Sequence, residues 1–169
     1  MFGTLTGLFG FIKNPVFSDI LFLSILFLIV WFIKEKIYYI PKIDGKWEMT
    51  LLYEKSTYKP YLGMEVYYTL FIHQNGSIIN IDSEKNAEKQ PMKRILNYAP
   101  RGKTLGNYYG NIQRSYMNHP VILNIREDGL VRNVVGRLNL KAISNCQMEG
   151  TFEKGDATSS GKVICTKVV

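Results

Sequence analysis

Met64 to Gln74 reads MEVYYTLFIHQ, and it is followed by Asn75-Gly76 and then by Ser77 to Asp82, SIINID. Met64, Val66, Tyr68, Leu70 and Ile72 fall on one side of a two-residue period, with Glu65, Tyr67, Thr69, Phe71 and His73 on the other. A period of two is that of a strand with one buried face. Asn-Gly favours the type I′ turn, whose two central residues both need positive φ, so the pair predicts an antiparallel hairpin. Asn75-Gly76-Ser77 is also an N-glycosylation sequon. The hairpin reading is preferred, because the domain reads as cytoplasmic below.

The same grammar extends in both directions. Gly45 to Glu54 (GKWEMTLLYE) places Trp47, Met49, Leu51 and Tyr53 on one face, with Lys46, Glu48, Thr50 and Glu54 opposite. Met92 to Tyr98, Asn107 to Tyr116, Val121 to Glu127, Leu130 to Ala142, Gln147 to Glu153 and Lys162 to Val168 are further candidate strands, and Asp128-Gly129 is a second turn signal. About nine short strands with turn signals roughly every ten residues predict an all-β antiparallel barrel or sandwich. A barrel of about eight strands, running up and down, is the better fit. Closure leaves no exposed edge, and an interior of that size is filled by side chains or holds one small ligand.

Ahead of this domain, Val16 to Ile33 (VFSDILFLSILFLIVWFI) has Ser18, Asp19 and Ser24 as its only polar residues. Eighteen residues rise about 27 Å as a helix, near the roughly 30 Å hydrocarbon thickness of a bilayer. The segment therefore predicts a transmembrane helix over about 16–37. Trp31, Tyr38, Tyr39, Lys34 and Lys36 suit the headgroup zone. A cleaved signal peptide and a buried core helix are the alternatives. The absence of an early charge in Met1 to Lys13, and of a small-residue cleavage site before Pro41, argues against the first. Lys34, Lys36, Lys42 and Lys46 on the C-terminal flank outnumber Lys13 on the other, which places the large domain in the cytoplasm by the positive-inside rule. Met1 to Lys13 is apolar but too short to span; it lies in the interface or forms a broken half-helix. The expected organisation is a membrane segment over 1–40 and a barrel domain over 41–169.

The barrel domain carries +6 of the chain's formal +7. Such an excess favours anionic partners, either phospholipid headgroups or a phosphate-bearing ligand, against the plainer reading of a solvated basic surface. Cys146 and Cys165 fit no metal spacing and need no pairing in a reducing compartment. His73 and His119 have no partner at metal or triad spacing, and no phosphate-cradling glycine motif, H-E-x-x-H or paired C-x-x-C is present. Neither an enzyme, nor a metal site, nor a cofactor is expected.

The motifs, in order, are a membrane segment, Gly45-Lys46-Trp47, Leu96-Asn97-Tyr98, Gly136 to Leu140 (GRLNL), Gly150 to Phe152 (GTF) and Ser160 to Val163 (SGKV). This order resembles the β-strand-rich transmembrane effectors that accompany bacterial cyclic-oligonucleotide synthases in anti-phage (CBASS-like) defence. Its G-x-W start is also similar to that of lipocalins, where the tryptophan plugs one end of the barrel, so Trp47 is read as core. The resemblance implies a lipocalin-like barrel that binds a cyclic dinucleotide and a homo-oligomer whose anchors disturb the bacterial inner membrane. It implies no DNA or RNA polymer as partner. The family is usually described with two transmembrane helices, where one full span is visible here.

A cyclic dinucleotide needs cations or N–H donors for its phosphates and flat side chains for its bases. Tyr68, Arg94, Tyr98, Arg114, Arg132, Arg137 and Thr151, on or beside predicted strands, are the candidate ligand-binding residues. Alternation puts Arg132 and Arg137 on opposite faces. For each arginine the competing reading is a solvent-facing partner of a carboxylate; for each tyrosine it is packing. The loop Ala99 to Gly106 is either a lid over the barrel mouth or an ordinary connection. A membrane-tethered carrier of an apolar ligand is the alternative function, recognisable by a Leu-, Met- and Phe-lined lumen with the arginines outside. A subunit whose barrel binds another protein is a third.

Overall fold

A computed structural model describes residues 15–99, 103–116, 118–128, 133–155 and 158–168. The chain separates into two compact units, Met1–Tyr39 and Ile40–Val169.

In the first unit, α1 (Pro15–Phe32) runs into a π-helical turn at Ile33–Ile37, which the Tyr38 amide closes on the Ile33 carbonyl at 3.0 Å. Proline suits a helix start because its missing N–H is not needed there. No residue of α1 is buried, and Phe22 and Phe27 are 65% and 70% exposed. A helix that is apolar all round finds its favourable surroundings in hydrocarbon. Ser24 donates its hydroxyl to the Ile20 carbonyl at 2.8 Å, which satisfies it within the helix. Among the described residues Pro15–Ile37 is the helix long and apolar enough to cross a membrane.

The second unit is a closed antiparallel barrel. Its strands are β1 (Gly45–Lys55), β2 (Glu65–Asn75), β3 (Ile78–Lys89), β4 (Leu96–Asn97), β5 (Leu105–Ile112), β6 (His119–Asp128), β7 (Asn133–Ser144), β8 (Gln147–Lys154) and β9 (Ser159–Lys167). The order β2-β1-β9-β8-β7-β6-β5-β3, with β2 also paired to β3, closes eight strands into an up-and-down ring. β4 is a two-residue addition that pairs Asn97 with Ala87 and Leu96 with Glu88. The expected hairpin forms, but one residue on: Asn75 pairs with Ile78, so the two-residue loop is Gly76-Ser77, and Gly76 alone takes a positive φ, 59°, where the type I′ turn expected at Asn75-Gly76 needs two.

Alternation holds through the interior. Trp47, Met49, Leu51 and Tyr53 on β1 are buried, as are Val66, Tyr68, Leu70 and Ile72 on β2 with Met64 just ahead of it. Where the expected strands differ, local chemistry gives the reason. Of the strand expected over Met92 to Tyr98 only the two residues of β4 form, because Lys93 closes a turn on Gln90 and Met92 adopts a left-handed φ of 61° ahead of it. The strand expected over Ser77 to Asp82 continues to Lys89 through polar residues that carry no apolar alternation. The Asp128-Gly129 turn, Arg132 and Met1 to Lys13 lie outside the described residues, as does part of the Ala99 to Gly106 loop.

One end of the barrel is a floor. Trp47 is fully buried there, its Nε1 donates to the Ile43 carbonyl at 2.7 Å, and the Lys167 ammonium sits 5.9 Å from the ring centroid. The lead-in to β1 is drawn across this end. Gln74 accepts from the Ile43 amide at 2.8 Å and donates to the Pro41 carbonyl at 3.0 Å, while Pro41 and Ile43 are buried. Cys165 packs in the same zone, where burial raises its thiol to about 12, and both cysteines are free. Removing the Gln74 carboxamide strands two backbone groups of the lead-in, one donor and one acceptor, and releases the exposed Gly76 carbonyl, at a cost of about 1–3 kcal/mol. Gln74→Ala is therefore expected to lower the unfolding midpoint and to speed hydrogen exchange at the Ile43 amide. Unchanged exchange at Ile43 would show that Gln74 does not hold the lead-in.

Candidate functional site

The other end of the barrel is chemically different. On β6 the inward series Val121, Leu123, Ile125 ends in Glu127, and on β8 the series Met148, Gly150, Phe152 ends in Lys154. Both charges are thereby carried into the barrel. The Lys154 ammonium lies 2.9 and 2.8 Å from the two Glu127 carboxylate oxygens, with the side chains 2% and 7% exposed. Lys154 also donates to the Tyr68 hydroxyl at 3.2 Å and sits 5.3 Å from that ring's centroid.

Tyr108 on β5 donates to Glu127 at 2.8 Å. Burial, and next the negative charge of Glu127, hold this hydroxyl protonated well above the ordinary tyrosine range, so it remains a donor. Gly106, paired with Glu127 across β5 and β6, leaves the space the cluster needs. A Cβ there would stand 2.7 Å from Ser83 Oγ and 2.9 Å from Glu127 Cγ.

A bulge in β3 supplies a second pair. Tyr67 faces Ala87 but Tyr68 faces Lys85, which leaves Asn86 as the extra residue. Residues three apart on a regular strand point to opposite faces; across a bulge they share one. Lys85 and Glu88 accordingly meet at 2.9 Å, both half-buried, opposite the inward Tyr68 and Val66. The bulge is held in place by two hydrogen bonds, from Asn86 to Thr69 Oγ1 at 2.7 Å and from the Tyr98 amide to the Asn86 carbonyl at 2.8 Å. The Tyr98 ring then lies 5.0 Å from the Lys85 ammonium, and its hydroxyl bonds Glu88. Burial, with that bond and the Glu88 charge, raises the Tyr98 pKa. For Glu88 burial is the largest influence and pushes upward. The hydrogen bonds from Tyr98 and Lys85 and the Lys85 charge outweigh it, so the carboxyl ends below its usual value.

Between these pairs is a cavity of about 160 Å³ lined by Tyr53, Tyr61, Met64, Tyr68, Lys85, Glu88, Thr104, Glu127, Val134 and Lys154. Tyr61, on the short 3-10 turn Lys59–Tyr61, stands 5.6 Å from Tyr53, which packs edge-on to Phe152 at 4.8 Å. The opening is thus framed by tyrosine rings and paired charges above an apolar floor.

Of the residues singled out in the sequence, Tyr68 is in the cavity wall and Tyr98 is on its rim. Arg94, Arg114, Arg137 and Thr151 are exposed, and the structure does not bring them together with Tyr68. Arg137 borders a depression of the β7, β8 and β9 ends, and Thr151 a separate one on the outer wall. Lys85, Glu88, Glu127 and Lys154 were missed. The available signal was a charge at an apolar parity position, Glu127 after Ile125 and Lys154 after Phe152. Among the described residues no cluster of histidine, cysteine or carboxylate groups could hold a metal.

No protein-family model matches the chain, and no curated protein matches it. Solved structures do. A redesigned β-barrel matches with a TM-score of 0.52 and 12% identity over 75% of this chain and 92% of its own. The redesigned barrel mFAP0, bound to DFHBI, matches with a TM-score of 0.52 and 12% identity over 74% of this chain and 98% of its own. At that identity the likeness concerns the fold. The chain is a closed eight-stranded antiparallel β-barrel with an apolar N-terminal helix.

Two measurements test the cluster. Lys154→Met leaves a buried carboxylate without its partner and is expected to cost about 3–5 kcal/mol, whereas Lys154→Met with Glu127→Gln restores more than half of that loss in urea unfolding. Strictly additive costs would show that the pair is not coupled. For the rim the sign follows from the lowered Glu88 pKa. Its contribution is present above the unfolded carboxylate value near 4.5 and is lost as pH falls through the lower folded value. The Tyr98 ring signals in an NMR titration are expected to move with a midpoint below 4.5, and a midpoint at or above 4.5 would refute the contact.

Proposed function

We propose that this chain is a membrane-anchored sensor. Its barrel, on the cytoplasmic side of the bacterial inner membrane, receives a cyclic dinucleotide at the mouth, and ligand-driven self-association of the anchors disturbs the bilayer as an antiviral effector. The observation that carries the reading is the Lys154–Glu127–Tyr68 cluster set beside a cavity in a barrel whose core is mainly apolar. Burying an ion pair costs desolvation that a well-packed apolar pair avoids, so a wall built only for stability has no need of one. Convergent polar groups at a cavity are instead the usual mark of a binding site.

Further support is indirect. The apolar helix suits an anchor, the domain's +6 attracts anions, and mFAP0, a barrel of this fold, is bound to a small molecule. The reading assigns no catalysis, metal or cofactor, and no nucleic-acid polymer as partner. The carrier alternative draws on the exposed Arg94, Arg114 and Arg137 and on the apolar floor. The polar lining of the cavity weighs against it.

Calorimetry on the full chain in lipid nanodiscs against cyclic di- and trinucleotides, with a linear dinucleotide as control, tests the proposal. Saturable binding of a cyclic ligand is expected, weakened at least tenfold by Lys154→Met. Binding of none of them by the folded protein, together with co-purifying lipid, would favour the carrier.

A further inference from the structure

Resting on the sensor reading, the cavity can be assigned a particular part of its ligand. Its volume of about 160 Å³ falls short of the roughly 300–1,000 Å³ of pockets that enclose whole drug-sized ligands. It compares with the ~150 Å³ engineered cavity that takes up a single benzene ring. Room for one flat ring is what the described walls provide.

Charge then selects the kind of ring. Two ammonium groups, Lys85 and Lys154, face two carboxylates, Glu88 and Glu127, and each lysine is already paired within 3 Å, at 2.9 and 2.8 Å. The four charges sum to zero. A phosphate brought into this space would gain the lysines only by approaching Glu88 and Glu127, and the like-charge repulsion among these largely buried side chains would oppose it. An uncharged ring meets no such penalty. The walls offer it the rings of Tyr53, Tyr61 and Tyr68, carboxylate oxygens that accept, and ammonium and hydroxyl groups that donate.

We infer that the mouth cavity is a subsite for one uncharged, flat heteroaromatic ring with both donor and acceptor edges, a nucleobase in chemical terms, and that it is not a phosphate site. Phosphates of the same ligand stay outside it. Tyr68, with Lys154 against its face, is the platform at the cavity wall, and Glu127 and Glu88 read the donor edge. The apolar floor below Phe152 and Tyr53 sets the depth to which a ring enters.

The test uses the full chain in nanodiscs and saturation-transfer NMR with four probes: adenosine, guanosine, pyrophosphate and toluene. Saturable binding of at least one nucleoside, without competition from pyrophosphate, is expected. Val134→Trp, which fills the cavity from a half-exposed wall position, is expected to weaken that binding at least tenfold while leaving the circular dichroism of the barrel unchanged. Nucleoside binding undiminished in a folded Val134→Trp variant would overturn the assignment. So would saturable binding of pyrophosphate or toluene without any nucleoside. A cyclic dinucleotide that binds while no nucleoside competes with it removes the ring subsite and leaves the sensor reading standing. Loss of both removes the two together.

Discussion

The pairing of β1 with β9 joins the two ends of the domain, and the rest of the barrel depends on it. Every other neighbour in the ring is also close in sequence, whereas Trp47 to Lys55 must find Ser160 to Lys167 across more than a hundred residues. The approach is close because Gly161 has no side chain; a Cβ there would stand 1.8 Å from the Leu52 carbonyl oxygen. Once this seam is formed none of the eight ring strands keeps a free edge, and their inward side chains share one interior.

A shared interior has consequences that no single strand controls. At the floor Trp47, Ile43, Met148 and Cys165 exclude water and bring the lead-in from residue 40 under the same packing. At the mouth the same exclusion strengthens the attraction between Lys154 and Glu127 and makes each alone costly. One barrel therefore holds a stable apolar base and a polar opening whose groups fix each other's positions. Preorganised groups of this kind are what recognition of a small ligand requires.

Much of this was legible in the chain. Strict alternation in Met64 to Gln74 and Gly45 to Glu54, with Asn75-Gly76 between strands, carried the antiparallel fold, and closure followed from the number of strands. The site was less legible. Arginine suits the chemistry of a phosphate ligand, but Arg94, Arg114 and Arg137 sit on outward or loop positions, and among the described residues the interior cations are lysines. Lys154 and Glu127 do sit on the inward parity, a conflict between residue type and position of the kind expected at functional or strained sites. Lys85 and Glu88 could not be read, since only the bulge at Asn86 puts residues three apart on one side. The contact of Tyr98 with that bulge depends on a backbone bond from outside the regular strands.

The central claim is that ligand recognition happens at the mouth and not on the barrel's outer wall. The most direct measurement is chemical-shift mapping of the isotope-labelled full chain as a cyclic dinucleotide is added. The largest changes are expected at Tyr68, Lys85, Glu127, Val134 and Lys154, with the floor around Trp47 little affected. Changes centred on the outer depression of Asn139, Thr151 and Ile164, with the mouth silent, would contradict it.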